Sequence, residues 1–162
     1  MAPGRFFDLY PPAEIVLPEV PRGDRESKPV AALADRRFQA EMTEQQKRLA
    51  TQAYYASISF MDEQLGKMLD VLDASGLAEN TVILLVSDHG YQLGSHGLWQ
   101  KRDLYENSLR SPLILVAPDK VPTGARSDVL VELTDIYPTL VALAGLDGPD
   151  TPIEGINLLP AL

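Results

Sequence analysis

A short apolar run that ends in an acidic and an imidazole side chain constrains the fold of this chain most. The run covers residues 81–86 and is followed directly by Ser87, Asp88, His89 and Gly90. A continuous β-branched and aliphatic run of this length is typical of a strand buried on both faces of an α/β sheet. Such sheets bind ligands beyond the carboxyl ends of their strands. The sequence therefore predicts a ligand site at Asp88 and His89.

Asp88 and His89 supply oxygen and nitrogen donors without sulfur, a set that suits a hard or borderline divalent ion. Two side chains are too few to hold such an ion, so further ligands must come from elsewhere. The alternative is that Asp88 caps a turn and His89 is a hydrogen-bonded surface histidine. Three features favour the metal site over this alternative: the preceding strand, Gly90, and the cation of Lys101 downstream.

The composition limits the classes of partner. The 162 residues include 14 Lys and Arg against 23 Asp and Glu, which gives a formal net charge of -9. No basic cluster stands out, so a nucleic acid is not expected as a partner. An acidic chain that binds an anion needs local positive charge, which a metal ion or Lys101 would supply. The absence of cysteine excludes disulfides, zinc–thiolate sites and a cysteine nucleophile within these residues.

The sequence carries no recognisable targeting segment. Its first residues lack the basic and apolar parts of a signal peptide, and no apolar stretch approaches the ~18 residues of a membrane helix. A membrane is therefore not expected as a partner. The compartment stays open, and a cytoplasmic location is expected only if these residues are the complete product.

The chain length suits one domain, which divides into a proline-rich arm, residues 1–42, and an α/β core, residues 43–162. Prolines between residues 10 and 29 disfavour both helix and central strand, so an extended surface arm is expected. Residues 43–74 carry apolar side chains at spacings of three and four, which predict an amphipathic helix. Thr43 begins this helix in a capping box with Gln46, and a glycine ends it.

Apolar runs after this helix predict the strands of the core. Residues 81–86 and 112–116 read as buried strands, and residues 128–132 as a third, shorter one. A second helix is predicted from an N-cap at Thr134 to Gly145. Because helices alternate with apolar strands, we expect an α/β fold with a mostly parallel sheet and flanking helices.

Several motifs in this order resemble the sulfatases, members of the alkaline-phosphatase superfamily. The stretch from Ser87 to Lys101, followed by residues 105–106 and 110–114, resembles the second metal-binding segment of that family. The predicted helix around residues 54–62 is most similar to the iduronate-2-sulfatase-like members. Further resemblances lie at residues 133–140 and 154–160. The resemblance implies a partial alkaline-phosphatase-like sandwich, with residues 1–162 as the carboxyl-side portion of a sulfatase catalytic domain.

The resemblance also implies roles for individual residues. In sulfatases a formylglycine, made from a Cys or Ser in a Cys/Ser-x-Pro-x-Arg signature, attacks the sulfate beside a bound calcium ion. Asp88 and His89 would then bind Ca2+, and Lys101 would contact the sulfate of a sulfate ester, with a sulfated sugar as one candidate. His96 is a second candidate for catalysis, since it is close enough in sequence to reach the sulfate. Hydrogen bonds that fix the loop are the alternative role for His96.

The sequence departs from the family in one respect that matters for activity. It has no cysteine, no Ser-x-Pro-x-Arg signature and no early Asp-Asp pair. Hydrolysis by this chain alone is therefore expected to be poor or absent. A phosphatase or phosphonate hydrolase of the same superfamily and a non-catalytic interaction fragment are the alternatives. Bare strand edges would favour binding of a complementary amino-side chain or self-association.

Overall fold

Two units make up the described part of the chain, which is residues 2–33 and 37–161 of the computed structural model. Residues 34–36 of the predicted arm and both terminal residues lie outside the described residues. The first unit consists of Met1–Ala74 and His89–Ser111, and the second of Ser75–Asp88 and Pro112–Leu162.

The first unit is built on the long helix that the sequence predicted, α3 (Glu44–Ser75). The backbone N–H of Gln46 donates to Thr43 Oγ1 at 3.2 Å, and the backbone N–H of Thr43 donates to Gln46 Oε1 at 2.8 Å, so the predicted capping box is confirmed. Gly76 follows with a φ of 71°, as expected for a glycine that ends a helix. No helix formed by the described residues is long and apolar enough to cross a membrane.

Short elements of the arm pack on α3. The helix α1 (Gly4–Phe7) buries Phe6 beside Ala56, and the Phe6 ring lies 5.4 Å from that of Phe60. Tyr10 Oη and Ser59 Oγ share a hydrogen bond of 2.6 Å. Between these contacts and α2 (Arg37–Ala40), the described arm is irregular apart from three single-turn 3-10 helices: Pro12–Glu14, Arg25–Ser27 and Val30–Ala32.

A charged cluster joins α1 to α3 and makes their attachment sensitive to acid. Glu63 Oε1 lies 2.6 Å from Lys67 Nζ and 2.8 Å from Arg5 Nη2. These hydrogen bonds, that of Lys67 first, lower the pKa of Glu63 from its ordinary 4.5 to about 2. Because the unfolded carboxyl takes up its proton at the higher pH, the stabilisation is complete above about pH 4.5 and is lost as the pH falls toward 2.

The variant Glu63→Gln tests this pH dependence. We expect its urea midpoint to lie slightly below that of the wild type at pH 7, because exposed ion pairs contribute little. The difference should shrink between pH 4.5 and 2, where the wild-type carboxyl becomes neutral. Urea unfolding followed by circular dichroism at several pH values measures both midpoints. A difference that stays constant down to pH 2 would contradict the assignment.

The second unit contains a two-stranded sheet and a helix. Strand β1 (Ile83–Val86) pairs antiparallel with β4 (Leu113–Val116), and Val86 stands opposite Leu113. Helix α5 (Ile136–Ala144) ends at Gly145, whose φ is 65°. The α/β class is confirmed, but the mostly parallel sheet is not found among the described strands. Val86, the last residue of β1, pairs with Leu113, the first residue of β4. The chain therefore returns to the sheet at the end where it left, and the two strands run antiparallel.

Two local predictions for the second unit are wrong. Residues 128–132 form no strand, and Leu130 in their centre is 94% exposed. The Asp135 carboxylate accepts hydrogen bonds from the backbone N–H groups of Glu132 and Ile156, both at 2.9 Å, which lower its pKa. Asp135 and Glu132 thus form the capping box at the start of this helical segment, in place of the predicted cap at Thr134.

Candidate metal and anion site

A small hairpin in the first unit carries most of the predicted site. Strands β2 (Gln92–Leu93) and β3 (Trp99–Gln100) pair antiparallel, with Leu93 opposite Trp99. The turn between them begins at Gly94, which has a φ of 109°. Because the strands are antiparallel, the residues before β2 and those after β3 lie at the same open end of the hairpin. The hairpin thereby brings the segment of His89 beside Lys101.

The loop before β2 is held by the short helix α4 (Glu106–Leu109) and its flanks. The backbone N–H of Gly90 donates to Ser108 O at 2.8 Å, and that of Tyr91 donates to Asn107 O at 2.7 Å. A Cβ on Gly90 would lie 2.0 Å from Asn107 O, so only glycine fits this close approach. These contacts fix the position of His89 next to Gly90.

His89 and Lys101, two of the predicted site residues, are in direct contact. The His89 Nδ1 atom lies 2.7 Å from Gly90 O, and since a carbonyl only accepts, Nδ1 carries the proton. Nε2 faces Lys101 Nζ and is hydrogen-bonded to it. An ammonium group can donate but not accept, so His89 is the neutral tautomer with its lone pair on Nε2.

The backbone around Lys101 is strained. Gln100 has a φ of 73° and Arg102 a φ of 87°, in the left-handed region that few residues other than glycine adopt. Strain of this kind persists only where surrounding contacts impose it, and it is concentrated at functional sites. Asp103, which is buried, supplies such contacts, because its Oδ1 accepts from Gln92 Nε2 at 3.1 Å and from the backbone N–H of Tyr105 at 3.0 Å.

The donor atoms of Asp88 and His89 are suited to a divalent ion as part of a ligand set. An imidazole whose Nδ1–H binds a carbonyl has its lone pair on Nε2, the form that ligates metals. Here that lone pair accepts from Lys101 Nζ, so a metal ion could bind His89 only after this hydrogen bond is broken. Asp88, the exposed last residue of its segment in the second unit, offers a carboxylate. The described residues contain no group of three or more His, Cys, Asp or Glu side chains placed to hold a metal ion. Two side chains do not complete a site for a divalent ion, so the predicted ligands Asp88 and His89 would need further ligands from elsewhere.

His96 lies at the turn of the hairpin, away from the open end that holds Lys101. Its Nδ1 is 2.8 Å from Asp24 Oδ2, and its ring centroid is 4.5 Å from that of Tyr105. The hydrogen bond from His96 is the main cause of a lowered pKa at Asp24. The structure thus brings His89 and Lys101 together and places His96 in a second cluster. The sequence pattern did not identify Asp24, because this contact spans 72 positions.

Comparisons with solved structures define the class of fold. A phosphonate monoester hydrolase from Silicibacter pomeroyi superimposes with a TM-score of 0.81 over 98% of this chain and 33% of its own, at 24% sequence identity. BT4656, solved with its substrate D-glucosamine-2-N,6-O-disulfate, gives a TM-score of 0.68 at 33% identity, over 72% of this chain and 24% of its own. The protein has the alkaline-phosphatase-like α/β fold.

Sequence comparison identifies the family within this fold. The sulfatase family model matches residues 24–146. Human iduronate 2-sulfatase is 32% identical over 185 aligned positions, which cover 91% of this chain and 34% of that protein. The chain belongs to the sulfatase family, as the motifs around Asp88 and Lys101 predicted. It spans between 29% and 34% of the length of the curated relatives that head the comparison. Sulfatases generally depend on a divalent metal ion.

Proposed function

We propose that this chain is the carboxyl-side portion of a sulfatase catalytic domain and that it contributes metal- and sulfate-binding residues to the hydrolysis of sulfate esters. The contact between His89 Nε2 and Lys101 Nζ carries the proposal. It fixes the tautomer with the lone pair on Nε2 and places an exposed cation beside it. Metal binding at Nε2 would require Lys101 to release this nitrogen and to turn its ammonium group to the sulfate. Family membership supports the class of reaction.

Each residue of the proposed site has a distinct task. Lys101 neutralises a sulfate oxygen as a point charge, and the strained backbone on both sides of it fixes where that charge lies. Asp88 and His89 would hold the metal ion, for which we propose Ca2+, together with ligands from the rest of the domain. When bound, such an ion would polarise the S–O bonds and would stabilise negative charge in the transition state.

The nucleophile of the proposed reaction comes from another segment. The 162 residues contain neither a cysteine nor a Ser-x-Pro-x-Arg signature from which formylglycine could be made. An isolated two-stranded sheet is at best marginally stable, and on β4 Ile114 is 54% and Val116 46% exposed. We therefore propose that a complementary amino-side segment covers these residues and supplies the nucleophile, and we prefer this to self-association.

The substrate class that we propose is a sulfated sugar. BT4656 has D-glucosamine-2-N,6-O-disulfate as its substrate, and iduronate 2-sulfatase is named for a sugar acid. Both relatives are more than 30% identical to this chain over aligned stretches. The sulfate group itself would contact Lys101, whatever sugar carries it.

The binding of inorganic sulfate tests the role of Lys101. We expect titration of the purified chain with sodium sulfate to shift the amide NMR signals of His89, Gly90 and Lys101. The variant Lys101→Ala should weaken binding by about 10-fold or more, because a charge-assisted contact contributes roughly 1.5–3 kcal/mol. Ionic strength is held constant with sodium chloride.

The control is Lys67→Ala, which removes a lysine of the same unit that binds Glu63 instead. This variant should bind sulfate as the wild type does. Equal affinity of the wild type and Lys101→Ala would refute the assignment of Lys101. Inorganic phosphate is titrated in parallel, and a strong preference for phosphate would favour the phosphatase alternative.

A further inference from the structure

The turn of the β2–β3 hairpin presents an imidazole in an unusual way. His96 has a φ of 57°, in the left-handed region, between Gly94 and Gly97, which also have positive φ. This backbone conformation has a higher free energy for a histidine than for a glycine, so the surrounding contacts must hold His96 in it. The position of the His96 side chain is thus maintained at the expense of backbone strain.

Contacts from the arm and from α4's flank hold this imidazole. Asp24 accepts from Nδ1, Arg25 Nη1 donates to the His96 carbonyl at 3.2 Å, and the Tyr105 ring stacks against the imidazole. Lys28 Nζ lies 3.6 Å from the Asp24 carboxylate and keeps it charged. The Asp24 side chain is only 14% exposed, whereas that of His96 is 30% exposed. The ring is therefore fixed at Nδ1 and remains partly exposed.

The other ring nitrogen of His96, Nε2, has no hydrogen-bond partner among the described residues. Because a carboxylate only accepts, Nδ1 carries the proton that points at Asp24, and Nε2 is the remaining polar atom of the ring. Tyr105, whose ring centroid lies 4.5 Å from that of His96, has a buried Oη that also lacks a hydrogen-bond partner among the described residues. Polar atoms without a partner in a native fold call for an explanation, and a polar ligand that binds at Nε2 of the partly exposed His96 ring is one.

We propose that His96 and Tyr105 form a subsite for the hydroxyl-bearing part of the substrate, and that Asp24 is the residue that positions His96 within it. This inference rests on the proposed function, since it takes the ligand to be a sulfated sugar. The site at Lys101 binds the sulfate, and the hairpin turn binds the group that carries it. The arm thus contributes to substrate choice through Asp24.

Paired titrations of two ligands test this subsite. The purified chain is titrated with D-glucosamine-2-N,6-O-disulfate and, separately, with sodium sulfate. We expect Asp24→Asn and His96→Gln each to weaken binding of the sugar disulfate by about 5-fold, the effect of losing one hydrogen bond between neutral groups. Each should change the affinity for sulfate by less than about 2-fold. Asp62→Asn, which alters an exposed acid on α3, should change neither affinity.

The imidazole 15N signals of His96 supply a readout that a merely structural contact would not give. The wild type should show Nδ1 protonated and an Nε2 signal that moves when the sugar is added. Asp24→Asn should shift the ring toward a mixture of both tautomers, because an amide can donate to Nδ1 as well as accept.

The outcomes are separable. An unchanged affinity for the sugar in Asp24→Asn, or an equal loss for sugar and sulfate, would overturn the subsite and leave the role of Lys101 standing. A wild-type chain that binds the sugar disulfate no more tightly than sulfate would also overturn the subsite and leave the role of Lys101 standing. A wild-type chain that binds neither ligand would overturn the proposed function and the subsite together.

Discussion

The purified chain is expected to hydrolyse an aryl sulfate on the order of 10⁶-fold more slowly than a complete sulfatase, because removal of a covalent nucleophile costs about that factor. The 162 residues contain no cysteine, and the one serine with a proline two positions later is followed by alanine where the signature needs arginine: Ser27, Pro29, Ala31. With the proposed metal ligands and the proposed sulfate-binding lysine in place, the attacking group would still be missing.

Release of 4-nitrophenol from 4-nitrophenyl sulfate, with Ca2+, Mg2+, Mn2+ or Zn2+ in turn, measures this rate. Lys101→Ala serves as the matched variant, and any residual rate should fall further in it, because Lys101 is proposed to bind the sulfate. Turnover near the rate of a complete sulfatase that a chelator and Lys101→Ala both abolish would show that these residues contain a nucleophile of their own.

Replacement of Gly90 by alanine is expected to destabilise the first unit by about 2–4 kcal/mol. The new Cβ would lie 2.0 Å from Asn107 O, so the backbone must move. That movement breaks the hydrogen bonds from Gly90 to Ser108 and from Tyr91 to Asn107, which join the loop to α4. Because His89 is bonded to Gly90 O, sulfate binding should weaken as well.

The control for this change is Gly66→Ala. A Cβ on Gly66 has no atom within 4 Å, and the residue lies inside α3, where alanine is favoured over glycine by up to about 1 kcal/mol. We therefore expect opposite signs for the same substitution at the two positions. Urea unfolding followed by circular dichroism measures both. A Gly90→Ala variant as stable as the wild type would show that the loop is not clamped as described.

Local chemistry explains why α3 could be predicted from the sequence. Its apolar spacing, the Thr43–Gln46 capping box and the terminal Gly76 all act within a few residues of one another. The hairpin strands β2 and β3 were missed because each has only two residues, which is too short for an alternating pattern to show.

Strand direction and strand pairing depend on the path of the chain between elements. The runs that became β1 and β4 were identified from composition, but their antiparallel pairing follows from where the chain re-enters the sheet. The apolar run 128–132 failed as a strand, since the segment leads into the Glu132–Asp135 capping box and pairs with no described strand.

The candidate site also contains residues that the sequence could predict and one that it could not. Asp88, His89 and Lys101 are close in sequence and were predicted together from their motif, and the structure brings His89 and Lys101 into contact. Asp24 was not, because an acid in a proline-rich arm gives no sign of the distant histidine that it will meet. Contacts of this kind are set by tertiary packing, which periodicity does not encode.

The half-exposed apolar side chains of β4 bear on how the isolated protein behaves when heated. No described strand pairs with the other edge of β4, and an edge of this kind pairs readily with other extended chains. Molecules that open at high temperature are therefore expected to aggregate before they can refold. Heat inactivation then becomes a matter of rate, and the apparent melting point rises with scan speed and falls with protein concentration.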